Sequence, residues 1–202
     1  MSSSSLILAS VSPRREELLR QLGVNFIVEA QNIAEKIGFD ESPEKFVRRM
    51  ANEKADSALQ DRTENDIVVL AADTIVVSGY QVLGKPKDKS DGLKMLRLLS
   101  NKTHRVLSAI TVATPLRRKS VISDTAVTFR EISEIEAEYY WDSGEPEGKA
   151  GAYAIQGFGA VFVQSISGSY SGVMGLPLFE TAQLLMEFGI HCWQPAQELS
   201  DE

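Results

Sequence analysis

The stretch Ile67-Val68-Val69-Leu70-Ala71-Ala72-Asp73-Thr74-Ile75-Val76-Val77 decides the fold. It is a nearly unbroken run of apolar and β-branched residues, the composition of a strand buried on both faces. Such a strand needs partners on either side and helices above and below. The flanking sequence supplies them by alternating strand and helix signals. Leu6–Ala9 is a short apolar run that leads into Ser12-Pro13, an N-cap followed by proline at the first helical position. Leu18, Leu19 and Leu22 give that helix an apolar face, and Gly23 stops it. Ser42-Pro43 repeats the start signal for a long helix reaching about Leu59. Further on, the pattern predicts a helix over Gly92–Leu99 behind Ser90, strands over Arg105–Ala113 and Val121–Phe129, and a Ser133/Glu136 capping box opening a helix to about Trp141. A strand over Ala160–Ile166 and a helix over Pro177–Phe188, closed by Gly189, complete the reading. Some strand pairs are joined too closely for a helical crossover, so the expected architecture is α/β with a mixed sheet and flanking helices. One domain over residues 1–202, with a polar tail after about 195, is expected.

Composition narrows the function classes. The chain has 202 residues, 43% of them hydrophobic, and a formal charge of −7. That apolar content fills a core, which argues against disorder. No run approaches the 18 or so apolar residues of a membrane span. The start, MSSSSLILAS, lacks the basic segment and long apolar run of a secretion signal. With a single cysteine, Cys192, and two histidines, neither a disulfide framework nor a His-rich metal site can be built. A cytoplasmic protein that binds neither membrane nor nucleic acid is expected, because nucleic-acid binding needs a basic field. A small polyanionic substrate remains compatible with the acidic balance, since a few convergent cations in one cleft outweigh distant surface charge.

The informative residues are polar ones where the pattern asks for apolar ones. On the long helix the inner stripe Val47, Met50, Ala51, Ala55, Ala58 also contains Lys54. Lys54 either snorkels to solvent or meets a buried partner. Asp73 interrupts the apolar strand; either the strand ends at Ala72 in a turn, or a carboxylate is buried there, which requires pairing, hydrogen bonds or a metal. The run Ile75-Val76-Val77 beyond it favours burial, and a carboxylate so placed can hold a divalent cation or take a proton from water. Ser10-Val11-Ser12-Pro13-Arg14-Arg15 joins a strand to a helix N-terminus, where free amides and two arginines attract phosphate, although arginines in a first turn are commonly just solvated. It is not a P-loop, for the Gly-rich run and the Gly-Lys-Ser/Thr are missing. Lys85 lies in Gly84-Lys85-Pro86, which by itself is a plain turn. Five glycines between 144 and 159 allow backbone to approach a ligand or make a mobile surface loop, and the amide of Gln156 can meet one donor and one acceptor on a base edge. Basic groups, a carboxylate and a helix N-terminus together are the equipment for hydrolysing a phosphate ester or anhydride with a metal ion.

Six segments in order carry a resemblance: SxSPRRxELL at Ser10–Leu19, ESPxxFVxRxAxEKA at Glu41–Ala55, AADTIV at Ala71–Val76, GKP at Gly84–Pro86, KAGAYAIQG at Lys149–Gly157 and GSYxxVxGLPL at Gly168–Leu178. Together they resemble the Maf family of nucleoside triphosphate pyrophosphatases, over about residues 5 to 190, and most nearly its dTTP/UTP-acting subfamily. The resemblance implies cleavage of the α–β bond to give a monophosphate and pyrophosphate, with Mg²⁺ or Mn²⁺. It implies a mixed, bent sheet in two lobes like the inosine-triphosphate pyrophosphatases, the active site in the central cleft, and a homodimer. By match of segment it makes Asp73 the proton acceptor and Arg14, Thr74 and Gln156 the base-selecting positions. Ser10, Arg15, Glu35, Lys54 and Lys85 then line the phosphate and metal site, with Glu35 and Asp73 as metal ligands. Ala34 stands where the family's usual Asp-Glu pair has its first acid. Two rival functions follow: the same chemistry on 7-methyl-GTP or ITP, and a non-catalytic nucleotide-binding regulator of cell division.

Overall fold

The computed structural model describes residues 5–63 and 66–193; the polar tail after about 195 lies outside them. β1 (Ser5–Ala9) and β2 (Ile27–Glu29) are parallel and joined through α1 (Pro13–Arg20). The long helix α2 (Pro43–Leu59) then carries the chain to β3 (Ile67–Ser78), parallel to β1. β3 turns back into the short β4 (Gln81–Leu83), and α3 (Lys89–Leu99) follows. β5 (Thr103–Ala113) and β6 (Arg118–Phe129) form a long hairpin antiparallel to β3. After α4 (Glu134–Asp142) come β7 (Val163–Ser167), α5 (Tyr170–Met174) and α6 (Leu178–Glu187). The sheet is seven-stranded and mixed, in the order β2-β1-β3-β5-β6-β7, with β4 on β3.

Two features of β3 create the site. First, its alternate residues serve different layers. Val69, Ala71, Ile75 and Val77 pack under α2 with Val47, Met50, Ala51 and Ala55. On the opposite face Val68, Leu70 and Ala72 join a core with α1 and α6, whereas Val76 joins a separate core with α3, α4 and Phe129. Thr74 falls between those two cores, so this face is divided into two lobes with a cleft between them. Second, β3 changes neighbour along one edge. β1 accompanies it as far as Ala71 and β4 takes over at Val76, while β5 pairs continuously on the other side from Val69 to Val77. Among the described residues, no strand covers the edge between. Ligands in open α/β sheets collect where neighbouring strands part in this way, beyond the carboxyl end of a strand such as β1.

Several boundaries differ from the sequence reading. The N-cap of α3 is Asp88, not Ser90: its carboxylate accepts from Asp91 N at 2.8 Å, and the helix begins at Lys89. Ser12 occupies the N-cap of α1 but its side chain caps nothing, and its own amide donates to Ser10 Oγ at 3.1 Å. The strand expected over Ala160–Ile166 is a 3₁₀ turn over Phe158–Phe162 followed by β7 from Val163. There the amides of Phe158 and Gly159 are consumed by the Glu145 side chain rather than by the sheet. The Ser133/Glu136 capping box is present in full, with Ser133 N donating to Glu136 Oε2 at 3.0 Å.

Candidate active site

All nine positions singled out above line one cavity of about 420 Å³: Ser10, Arg14, Arg15, Glu35, Lys54, Asp73, Thr74, Lys85 and Gln156. That is a volume suited to a small organic ligand. The open edge of β3 explains how Asp73 and Thr74, on opposite faces of one strand, both reach it.

Asp73 does not end the strand; β3 runs straight through it, paired with Ala109. Its side chain is buried, and Lys54 Nζ donates to its Oδ1 at 2.6 Å. The same ammonium reaches Glu35 Oε1 at 2.7 Å, and Lys85 Nζ stands 3.4 Å from Glu35 Oε2. Lys54 is therefore not a snorkelling lysine: α2 aims it inward from the apolar stripe, only 6% exposed, at two carboxylates. Burial pushes the Asp73 carboxyl above its ordinary value, against the opposing charges of Lys54 and Arg15. At Glu35 burial also pushes upward, but the hydrogen bond and charge of Lys54 and the charge of Lys85 outweigh it and hold the group below its ordinary value.

Arg15 is held by two acceptors. Nε reaches the Gly175 carbonyl at 2.9 Å and Nη2 reaches Thr74 Oγ1 at 3.3 Å. Proton accounting then orders the hydroxyls beneath it. Ser108 donates its one proton to the Gly172 carbonyl at 2.6 Å, so at 2.8 Å from Thr74 it accepts, and Thr74 donates. Arg14 sits half-buried at the cavity, its guanidinium lowered by burial against the charge of Glu145. Lys149 lines the same wall, lowered by burial first and then by the like charge of Arg14. Gln156 is the exposed corner of a turn closed by Gly157 N donating to Ala154 O.

Lys149, Ser108 and Glu145 were not distinguished by the sequence reading. Ser108 had a signal: it is polar in the apolar run Val106–Val112. Lys149 opens the KAGAYAIQG segment but, like Glu145, carries no signal as a single residue, since charged residues in a Gly-rich stretch read as solvated. The donor set for a cation consists of Glu35 and Asp73, both within hydrogen-bond length of one ammonium, so a single cation can face both. No group of three or more His, Cys, Asp or Glu gathers among the described residues. Two carboxylates suit Mg²⁺ or Mn²⁺ when substrate phosphates complete the shell.

A mixed sheet whose edge opens onto a buried carboxylate, a second exposed one and converging cations is a site for a phosphorylated ligand. Residues 5–188 match the model of the Maf-like protein family, and the chain belongs to it. Three relatives are named dTTP/UTP pyrophosphatase. The chain is 51% identical to that of Alkalilimnicola ehrlichii, with 92% of this chain and 93% of the relative aligned. It is 51% identical to that of Cupriavidus metallidurans, over 93% and 98%, and 49% identical to that of Saccharophagus degradans, over 95% and 92%. Among solved structures it is similar to the Staphylococcus aureus Ham1 protein, with a TM-score of 0.48 at 14% identity over 92% of this chain and 99% of that one.

Proposed function

We propose that the chain hydrolyses dTTP and UTP to the nucleoside monophosphate and pyrophosphate. Water attacks the α-phosphorus, the α–β bridging bond breaks, and pyrophosphate leaves. The observation that carries the chemistry is the Asp73–Lys54 pair: a buried carboxylate, bonded to an ammonium at 2.6 Å, facing a cavity rimmed by further cations. Burial raises the proton affinity of Asp73, which makes it a better general base for the attacking water than a solvated carboxylate. Arg14, Arg15, Lys54, Lys85 and Lys149 supply positive charge for the triphosphate, and Arg15 arrives already fixed by Gly175 and Thr74. Glu35 and Asp73 would hold a Mg²⁺ or Mn²⁺ ion, whose contribution is to neutralise charge on the phosphates. The names of the relatives support the pyrimidine substrates.

Base selection falls to Arg14, Thr74 and Gln156. Thymine and uracil offer an N3–H donor between two carbonyls, and one amide meets a donor and an acceptor together. A site built to bond one edge rejects analogues that leave its groups unpaired. We further propose a cytoplasmic homodimer; no helix of the described residues is long and apolar enough to cross a membrane. The test is release of pyrophosphate from a panel of triphosphates with Mn²⁺. The highest kcat/KM is expected for dTTP or UTP, and a purine in first place would overturn the base assignment.

A further inference from the structure

The Gly-rich segment that carries Gln156 is organised by two side chains outside the cavity's catalytic half. Glu145 Oε1 accepts from Tyr140 OH at 2.7 Å and from Gly159 N at 2.9 Å, and its Oε2 accepts from Phe158 N at 2.8 Å. Tyr140 OH in turn accepts from Ala154 N at 3.0 Å. The backbone is thus gripped at 154 on one side of Gln156 and at 158 and 159 on the other. The fit is close: a Cβ at Gly157 would lie 1.9 Å from Glu145 Oε2, and one at Gly159 would lie 2.6 Å from Tyr140 OH. Only glycine lets the turn wrap the carboxylate and the phenol.

The grip is itself anchored. Tyr140 is buried on α4, edge-on to Phe162 with centroids 5.1 Å apart, and α4 starts from the complete Ser133/Glu136 capping box. Lys149 Nζ donates to the carbonyl of Glu145, tying the same residue to the cationic wall. The Glu145 charge also acts on Arg14, which lines the cavity.

We propose that Glu145 and Tyr140 are positioning residues for base selection: they hold the Ala154–Gly159 turn so that the Gln156 amide meets the base in one fixed place. This rests on the reading that Gln156 contacts the base of a nucleoside triphosphate. A turn held at three amides by two side chains that also bond each other presents its amide without paying to order it on binding, and such preorganisation shows in affinity and discrimination rather than in the chemical step.

The test is Glu145→Gln, which keeps the shape but turns an amide N–H₂ toward a backbone N–H, and Tyr140→Phe, which keeps the ring against Phe162 and removes the partner of Ala154 N. Each is expected to raise KM for dTTP by about tenfold while kcat changes by less than about threefold, a size set by losing one buried hydrogen bond. The ratio of kcat/KM for dTTP over dCTP should fall by a similar factor. The deciding measurement repeats Glu145→Gln in a Gln156→Ala background, where it should no longer alter that ratio. An unchanged ratio in both single variants, or an undiminished effect in the Gln156→Ala background, overturns the proposal. If the parent prefers another triphosphate, the pyrimidine reading fails. The same ratio, taken for the preferred base over its competitors, then decides the role of Glu145 and Tyr140.

Discussion

Lys54 and Asp73, nineteen positions apart on α2 and β3, meet at 2.6 Å inside an otherwise apolar layer. α2 and β3 are packed along Val47, Met50, Ala51, Ile75 and Val77, so the layer that stabilises the fold also fixes the ion pair. A buried pair of this kind is weak evidence for stability, because desolvation of the two ions offsets most of their attraction. It lies at the edge of β3 that no described strand covers, and both residues line the cavity.

Asp73→Asn separates the two roles. Burial raises the Asp73 pKa, so its ionisation opposes folding: any stability it contributes is present below the ordinary carboxylate range and lost as pH rises through the raised value. At pH 7 the asparagine variant should therefore melt no lower than the parent, with Lys54 still paired to Glu35. Turnover of dTTP should fall by about 100-fold or more, as on loss of a general base. Thermal melts and pyrophosphate release on one preparation check both; a variant that turns over normally removes Asp73 from the mechanism.

Lys54→Met should act through pH. Without the ammonium, burial and the charge of Glu35 push Asp73 further up, opposed by Arg15. Protonation of Asp73 spares the fold from an unpaired buried charge, and methionine suits the apolar stripe around Met50 and Ala51. The acidic limb of the kcat/KM profile should shift to higher pH, with activity at pH 7 well below the parent and partly recovered in alkali. A profile of unchanged shape with a lowered melting temperature would make Lys54 a structural residue.

These two residues also show how much was legible in advance. Both broke a period: lysine on a 3.6-residue apolar stripe, aspartate in a continuous strand. Long elements with strong patterns, α2 and β3 above all, match the sequence reading within a residue. What escaped it is short or non-local. β2 and β4 have three residues each, too few for periodicity, yet β4 defines one side of the open edge. The pairing of Lys54 with Glu35 spans nineteen positions into a segment without regular structure. Glu145 carries no signal because two of its partners are backbone amides of residues 158 and 159, which leave no trace in side-chain pattern, and the third is the hydroxyl of Tyr140 on α4.

Arg15→Lys tests whether the fork geometry matters. The guanidinium spends Nε on Gly175 and Nη2 on Thr74, so it is oriented before any ligand arrives. An ammonium keeps the charge but cannot make both bonds and still face phosphate. KM for dTTP should rise by about tenfold or more, with less than a twofold change in melting-curve cooperativity. Equal KM in parent and variant would mean that Arg15 serves only to hold Thr74 and Gly175.

His104 predicts a pH dependence of stability outside the cavity chemistry. It is 2% exposed, its Nε2 lies 2.9 Å from Tyr153 OH, its buried Nδ1 has no hydrogen-bond partner among the described residues, and Phe129 stands edge-on at 4.8 Å. Burial lowers its pKa to about 4 from 6.5. The folded chain therefore keeps the ring neutral while the unfolded chain takes up a proton below about 6.5. The contribution is fully present above that value and is lost as pH falls toward 4, a difference of about 3 kcal/mol at full extent. Denaturant titrations at pH 7, 5.5 and 4.5 should show a steeper loss for the parent than for His104→Gln, whose amide can still meet Tyr153 but does not titrate. Parallel losses in the two proteins would show that the ring is protonated in the fold, and that the aromatic cluster of His104, Phe129 and Tyr153 admits a charge.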